Sequence, residues 1–327
     1  MRKTFQYAVF IALGGSILFA CKGKKENELT LADASVVWWM APGSIAQQDS
    51  IYEKNGLNVT AFSLQTGLQS KNAVISGAAD IGLTATTPLA MGAFNKENLI
   101  VLCSYMESNS LLSLLTSAQT NSSQFPEPER PVAIIRGTIS ELYFYNYLRT
   151  YYPNVRIDDA KQLSITQPAD ALNVMRGDNA KSVVIWEPFA TILSEKMPNL
   201  KVCRAEDVYT HRMYIVTTPE VLDKKRVAVQ KFLKSFEQAC ELLNTNPAKG
   251  KAILKAIFPQ QESSMNMLWD KVNFSLQFDY DAMKELILKD AQTAFELGQT
   301  PKDKLGQLRQ LKEEDLQHYF NYDFKPN

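Results

Sequence analysis

Residues 73–88 read Ala73-Val74-Ile75-Ser76-Gly77-Ala78-Ala79-Asp80-Ile81-Gly82-Leu83-Thr84-Ala85-Thr86-Thr87-Pro88, and three elements meet within them. Leu68 to Ser76 has a helical pattern, and Gly77 stops it because glycine accepts the left-handed conformation favoured at helix ends. Ala79 to Thr84 follows as a short strand. Thr87-Pro88 then opens another helix, with a hydroxyl to cap it and a proline in the first turn, where a missing N–H costs nothing. A helix, strand and helix joined this tightly form the repeat of a parallel α/β sheet.

The same alternation extends both ways. Upstream, Val36 to Met40 and Leu57 to Leu64 pattern as strands around a helix from Ser44 to Lys54, which Asn55-Gly56 stops. Downstream, Ile100 to Tyr105 and Leu111 to Thr116 lead to residues 118–130, Ser/Asn-rich and then Pro/Glu-rich, which suggest an exposed loop close to a domain crossing. A second series begins at Pro131, with strands Val132 to Ile135, Leu163 to Thr166, Ser182 to Trp186 and Leu200 to Cys203. Helices Ser140 to Tyr152, Ala169 to Arg176 and Pro188 to Lys196 separate them. After Met213 to Thr217, the long helix Pro219 to Asn244 introduces mostly helical sequence. Two series predict two α/β lobes: residues 34–117 and 214–327 in the first, residues 118–213 in the second.

The chain has 327 residues, with 35 Lys+Arg against 35 Asp+Glu. That balance provides no basic surface for a polyanion, which argues against a nucleic-acid partner. At 45% hydrophobic residues the chain is not disordered, and a chain this long buries roughly three quarters of its unfolded surface. Only the N-terminus approaches the apolar character of a membrane span. There, Arg2 and Lys3 precede an apolar run from Tyr7 to Ala20, followed by Cys21 and the polar segment Lys22 to Glu28. These are the parts of a secretory signal. Leu18-Phe19-Ala20-Cys21 resembles the lipobox of bacterial lipoproteins, which implies a signal peptide over residues 1–20, lipidation of Cys21 and a tether over residues 21–33. Several acyl chains anchor stably where one does not. An ordinary signal peptide or an uncleaved anchor is the competing expectation. Cys103, Cys203 and Cys240 have neither C-x-x-C spacing nor a companion His, so buried free thiols are expected rather than a zinc or redox site.

Ligands of parallel α/β sheets sit at strand carboxyl ends, where loops lead into helix starts. Four such loops carry small or hydroxyl residues: Ala41-Pro42-Gly43-Ser44, Thr66-Gly67, Thr84 to Pro88 with Thr86 and Thr87, and Gly137-Thr138-Ile139-Ser140. Free N–H groups, the positive end of the helix dipole and hydroxyls suit an anion or another hydrogen-bond acceptor, though each hydroxyl also serves as a simple cap. Trp38 and Trp39, adjacent in a predicted strand, should point to opposite faces, so one of them, Trp39 in this assignment, reaches the cleft. Trp186 and Glu187 fall at a strand end, where Glu187 either accepts from a ligand amine or caps the next helix. His211 lies near the second crossing and is a further candidate. The sequence lacks G-x-S-x-G, H-E-x-x-H, P-loop and G-x-G-x-x-G motifs, so no enzyme activity, metal or cofactor is expected.

With these elements in place, Tyr52 to Val59, Ala73 to Gly82 and Thr87-Pro88 resemble the first lobe of ABC-transporter solute-binding proteins of the sulfonate/nitrate/taurine/thiamine-precursor (SsuA-like) group. Those proteins carry a G-L-x-V turn and an A-x-x-S-G-x-A-D-I-G run. Asp170-Ala171, Trp186 to Ala190 and Tyr214 to Val216 resemble the end of the second lobe and the return crossing. In Arg136-Gly137-Thr138 the hydroxyl of the family's Gly-Ser pair is kept. The resemblance implies a type II periplasmic-binding fold, with a ligand cleft between two α/β lobes. It also implies a lipid-anchored monomer at the outer face of a membrane that delivers its ligand to an ABC permease and its ATPase. An organic anion such as an aliphatic sulfonate is the first expected ligand, and a thiamine pyrimidine precursor or other aromatic amine the alternative.

Overall fold

The computed structural model describes residues 27–33, 36–64, 66–117, 131–321 and 324. The expected signal peptide, Cys21 and the whole loop at 118–130 lie outside the described residues. The first lobe begins with β1 (Glu28–Asp33), α1 (Pro42–Gln48), α2 (Ile51–Lys54), β2 (Asn58–Ser63), α3 (Gly67–Ile75), β3 (Ile81–Ala85), α4 (Thr86–Phe94) and β4 (Ile100–Ser108). The chain then crosses into β5 (Leu112–Ser117), β6 (Val132–Ile134), α5 (Ile139–Tyr151), β7 (Gln162–Ser164), α6 (Ala171–Arg176), β8 (Ser182–Trp186), α7 (Phe189–Lys196) and β9 (Leu200–Cys203). It returns through β10 (His211–Thr217) to α8 (Pro219–Lys224), α9 (Arg226–Thr245), α10 (Pro247–Ile257), α11 (Glu262–Leu268), β11 (Asn273–Gln277), α12 (Tyr280–Glu296) and α13 (Glu313–Leu316).

The strands form two sheets, ordered β11-β4-β10-β3-β1-β2 and β7-β6-β8-β5-β9. In each, three strands run parallel (β2, β1, β3 and β7, β6, β8), and the next strand, β10 or β5, is antiparallel to both its neighbours. That antiparallel strand is always the one that follows a crossing, so each lobe is completed by chain arriving from the other.

This pairing corrects the expected boundaries. β5, assigned to the first lobe by a limit at residue 117, belongs to the second sheet, and β10 enters the first sheet at His211 rather than at 214. The expected tether also ends too late, because Glu28–Asp33 is a strand paired along its whole length with β2. Val36 to Met40, in turn, is not a strand. Trp38–Met40 forms a 3-10 turn, and the Gln261 side chain holds it by accepting from Trp38 N (2.8 Å) and donating to Val36 O (2.8 Å). The backbone groups a ladder would use are satisfied by a residue more than two hundred positions away. The expected helix Ser44 to Lys54 divides at Ser50, whose φ of 54° is left-handed, and β11 interrupts the predicted helical tail to pair with β4.

Local signals elsewhere hold. Gly56 and Gly77 have φ of 66° and 76° at the ends of α2 and α3. α9 buries Val229, Phe232, Leu233, Phe236, Cys240 and Leu243, the three- and four-residue spacing of one helix face. Ser70 of α3 donates to Ala32 O (2.7 Å) and accepts from Leu83 N (2.8 Å), fastening the helix to β1 and β3. Gly82 makes that approach possible, since a Cβ there would stand 2.8 Å from Val74 Cγ2.

Candidate ligand-binding cleft

The lobes face each other across a cavity of about 140 Å3 at the carboxyl ends of the parallel strands. Three helices of eight or more residues point their amino termini toward it: α3 at Thr66-Gly67, α4 at Ala85 to Pro88 and α5 at Gly137 to Ile139. Between them the walls are apolar. Val36 and Val37 precede the 3-10 turn, Trp39 and Met40 come from it, Leu68 from α3, Met213 from β10 and Trp186 from the end of β8. The described lining contains no Lys, Arg, Asp or Glu. Any negative charge held here is therefore met by backbone N–H groups and helix dipoles rather than by a side-chain cation.

Of the twelve ligand-binding residues expected, Trp39, Thr66, Gly67, Thr87, Gly137, Thr138 and Trp186 line this cavity. Their hydroxyls also serve the fold. Thr66 Oγ1 caps α3 by accepting from Gln69 N (3.2 Å), and Thr138 Oγ1 accepts from Ser140 N (3.2 Å) while donating to Ile135 O (2.6 Å). Capping and cleft lining are thus combined in the same loops.

Five expected residues are not in the lining. Gly43 is buried in α1, where a Cβ would lie 3.4 Å from Phe236 and 3.5 Å from Leu31, and Ser44 follows it on the same helix. Thr86 is buried and donates to Tyr214 Oη (3.4 Å). Ser140 is buried too, donating to Val184 O (2.6 Å) and accepting from Ile135 N (3.2 Å), so it ties α5 to its own sheet.

Glu187, expected either to meet a ligand amine or to cap the next helix, is engaged in the second way. Its side chain is 0% exposed and accepts from four protein donors: Arg204 Nη2 (2.6 Å), Thr191 Oγ1 (2.7 Å), Thr191 N (3.2 Å) and Ser264 Oγ (3.1 Å). A carboxylate so occupied leaves little for a ligand amine, and its bonds to Thr191 are those of a helix cap. Ser264 belongs to the first lobe and Glu187 to the second, so this bond crosses between lobes. Trp39 Nε1 crosses beside it, donating to Glu187 O (2.7 Å). On another side of the interface Tyr145 Oη donates to Glu296 (2.9 Å).

Two lining groups connect to buried titratable residues. Thr87 Oγ1 donates to Asp290 Oδ2 (2.9 Å), which also accepts from Tyr209 Oη on the second crossing (3.0 Å). Burial pushes the Asp290 carboxyl up to about 6 despite these two donors. His211 lines the cavity at the start of β10, packed edge-to-face on Trp39 with ring centroids 5.1 Å apart. Burial pushes its imidazole down to about 3, so the ring is neutral at ordinary pH. Among the described residues, no group of His, Cys, Asp and Glu could hold a metal ion. Cys103 and Cys240 are buried free thiols, and Cys203 is a half-buried one.

A family model described as NMT1/THI5 like matches residues 40–250, which include most of both lobes. The chain belongs to the NMT1/THI5-like family. Solved structures agree on the fold. The chain is similar to the periplasmic aliphatic sulphonate binding protein SsuA from Escherichia coli, with a TM-score of 0.74, 16% identity, and coverage of 92% of this chain and 93% of that one. The alkanesulfonate-binding protein SsuA from Xanthomonas axonopodis pv. citri bound to MOPS gives a TM-score of 0.69 at 14% identity, covering 84% and 95%. The periplasmic nitrate-binding protein NrtA from Synechocystis PCC 6803 gives 0.59 at 12%, covering 86% and 84%. A comparison with curated proteins gives no match. At such identities the likeness establishes the periplasmic-binding-protein fold, in agreement with the two sheets and crossings of this NMT1/THI5-like chain.

Sequence reasoning missed Val36, Val37, Met40, Leu68, Ala85, Pro88, Ile139 and Met213 of the lining. Ala85, Pro88 and Ile139 lie within the named loops without being singled out there, and Leu68 directly follows one, so these four were within reach of that signal. The residues around Trp39 were hidden by their assignment to a strand.

Proposed function

We propose that this chain is the substrate-binding component of an ABC importer. It is held at the outer face of a membrane through lipidated Cys21 and acts as a monomer that closes its lobes on a small organic anion for delivery to a permease and its ATPase. The observation that carries the proposal is the convergence of three helix amino termini on one aromatic-walled cavity to which both lobes contribute. Dipoles and free N–H groups suit a single anionic head. Trp39, Trp186, Leu68 and Met213 suit an apolar body, which favours a sulfonate with an organic tail over an inorganic anion. An aromatic amine bonded to Glu187 fits less well, because that carboxylate already accepts from four protein donors. A binding role rather than an enzymatic one is supported by the described lining, in which His211 is the titratable side chain and is pushed by burial down to about 3, too low for an effective base at ordinary pH.

Closure follows from population shift: a ligand touching both lobes favours the closed state by as much as it binds that state better. The test is a thermal-shift and small-angle-scattering series with alkanesulfonates of increasing length, benzenesulfonate, nitrate and a thiamine-type aminopyrimidine. At a concentration about 100 times its dissociation constant a sulfonate should stabilise by about 2.7 kcal/mol and compact the particle. Stabilisation by nitrate or the aminopyrimidine alone would refute the organic-anion assignment. Cys21→Ser should move the protein from the membrane to the soluble fraction.

A further inference from the structure

His211 is 1% exposed, and neither Nδ1 nor Nε2 has a hydrogen-bond partner. The backbone explains how the ring is placed. Met213 pairs with Ala85, the last residue of β3, so His211, two residues earlier on the antiparallel β10, extends past the end of β3 toward the start of α4. Side chains two apart share a strand face, and both His211 and Met213 line the cavity. Trp39 holds the ring edge-to-face and Tyr209 stacks on it with centroids 6.5 Å apart, so its orientation is set by aromatic packing rather than by hydrogen bonds.

A neutral imidazole has one N–H donor and one acceptor nitrogen. Leaving either unsatisfied in an apolar site costs free energy, and native proteins seldom do so without a reason. No fold contact uses these nitrogens, and the cavity is the space that the residue lines. We propose that His211 is the specificity-determining residue of the cleft, bonding as an uncharged imidazole to a second, neutral polar group on the ligand, such as a ring nitrogen, amine, hydroxyl or amide, separate from its anionic head. His211's role rests on the organic-anion reading of the cleft and narrows it: the preferred ligand carries two polar features on an apolar body. Plain alkane- and arenesulfonates fit the same walls but leave His211 unbonded. The burial that keeps the ring neutral also makes it a poor partner for a second anionic group, which would call for an imidazolium.

The test uses probes of nearly identical shape on the full-length chain. Benzenesulfonate, the three pyridinesulfonate isomers and 3- and 4-aminobenzenesulfonate are titrated calorimetrically into wild type, His211→Phe and His211→Gln. At least one nitrogen-bearing probe should bind wild type about tenfold or more tightly than benzenesulfonate, the ratio expected when a buried donor or acceptor gains its partner. His211→Phe should bring that ratio to about one, and His211→Gln, which keeps a donor and an acceptor, should restore part of it. Equal binding of all probes by wild type, or a preference that survives in His211→Phe, overturns the role of His211 and leaves the anion cleft standing. Failure of every sulfonate to bind removes the cleft assignment and the inference with it. Should both variants fold poorly, 15N imidazole spectra of wild type decide. The chain has two histidines and His318 is exposed, so the His211 nitrogens are resolvable. They should shift on adding the preferred probe while remaining those of a neutral ring, and unchanged resonances refute the bond.

Discussion

Replacing Glu187 with Gln changes one atom type in a fully buried group and separates two roles for it. The carboxylate accepts from Arg204, Ser264 and both the N–H and hydroxyl of Thr191, four donors on two oxygens. An amide has one acceptor oxygen, so its NH2 must face either the Arg204 guanidinium or the Thr191 and Ser264 donors. The hydroxyls can rotate away, but the Thr191 N–H and the guanidinium cannot. Breaking a fully buried ion pair costs about 3–5 kcal/mol. Arg204 is 23% exposed and keeps some solvation, so a loss nearer 2–3 kcal/mol is expected, a large share of the ~5–15 kcal/mol that stabilises a typical domain. Urea unfolding followed by tryptophan fluorescence measures it. Because the Ser264 bond joins the lobes, the ligand-free variant should also show a larger radius of gyration. The reasoning is refuted by a variant whose stability is within about 0.5 kcal/mol of wild type. If such a variant also lost ligand affinity, the carboxylate would face the ligand.

Asp290 titrates at about 6 when folded against about 3.9 when unfolded. The folded chain therefore keeps a proton that the unfolded chain has released, and stability falls as pH rises from about 4 to about 6, by about 3 kcal/mol from this group. Asp290→Asn should flatten that fall and be the more stable protein at pH 7.5, as urea titrations at pH 5 and 7.5 will read. Trp39→Phe removes the 2.7 Å bond to Glu187 O and should cost about 1–3 kcal/mol through the unpaired carbonyl; an unchanged melting curve would count against that bond. Gly82→Ala places a Cβ 2.8 Å from Val74 Cγ2 and 3.1 Å from Ser70 O, an overpacking that should cost about 1–3 kcal/mol in chemical unfolding.

Features decided within a few residues were legible in the sequence. Gly77 ends α3, Thr66 and Thr138 cap α3 and α5, and the apolar spacing of α9 sets its buried face, because caps and helix faces act over one or two turns. From such signals came the two α/β lobes and the strand ends that carry the cleft. Features whose partners lie far along the chain were decided only by the tertiary structure. Val36 to Met40 reads as a strand by composition, yet Gln261 supplies the bonds that make it a turn. Glu187 at a strand end reads equally as a ligand or a structural group, and only the tertiary structure brings Ser264, 77 residues away, to join Arg204 and Thr191 in occupying its oxygens. β5 and β10 change lobes because strand pairing, not strand composition, assigns a strand to a sheet. His211 shows the same limit from the other side: nothing local marks it, and only its place past the end of β3, beside Trp39, makes a residue with two unbonded ring nitrogens part of the cavity lining.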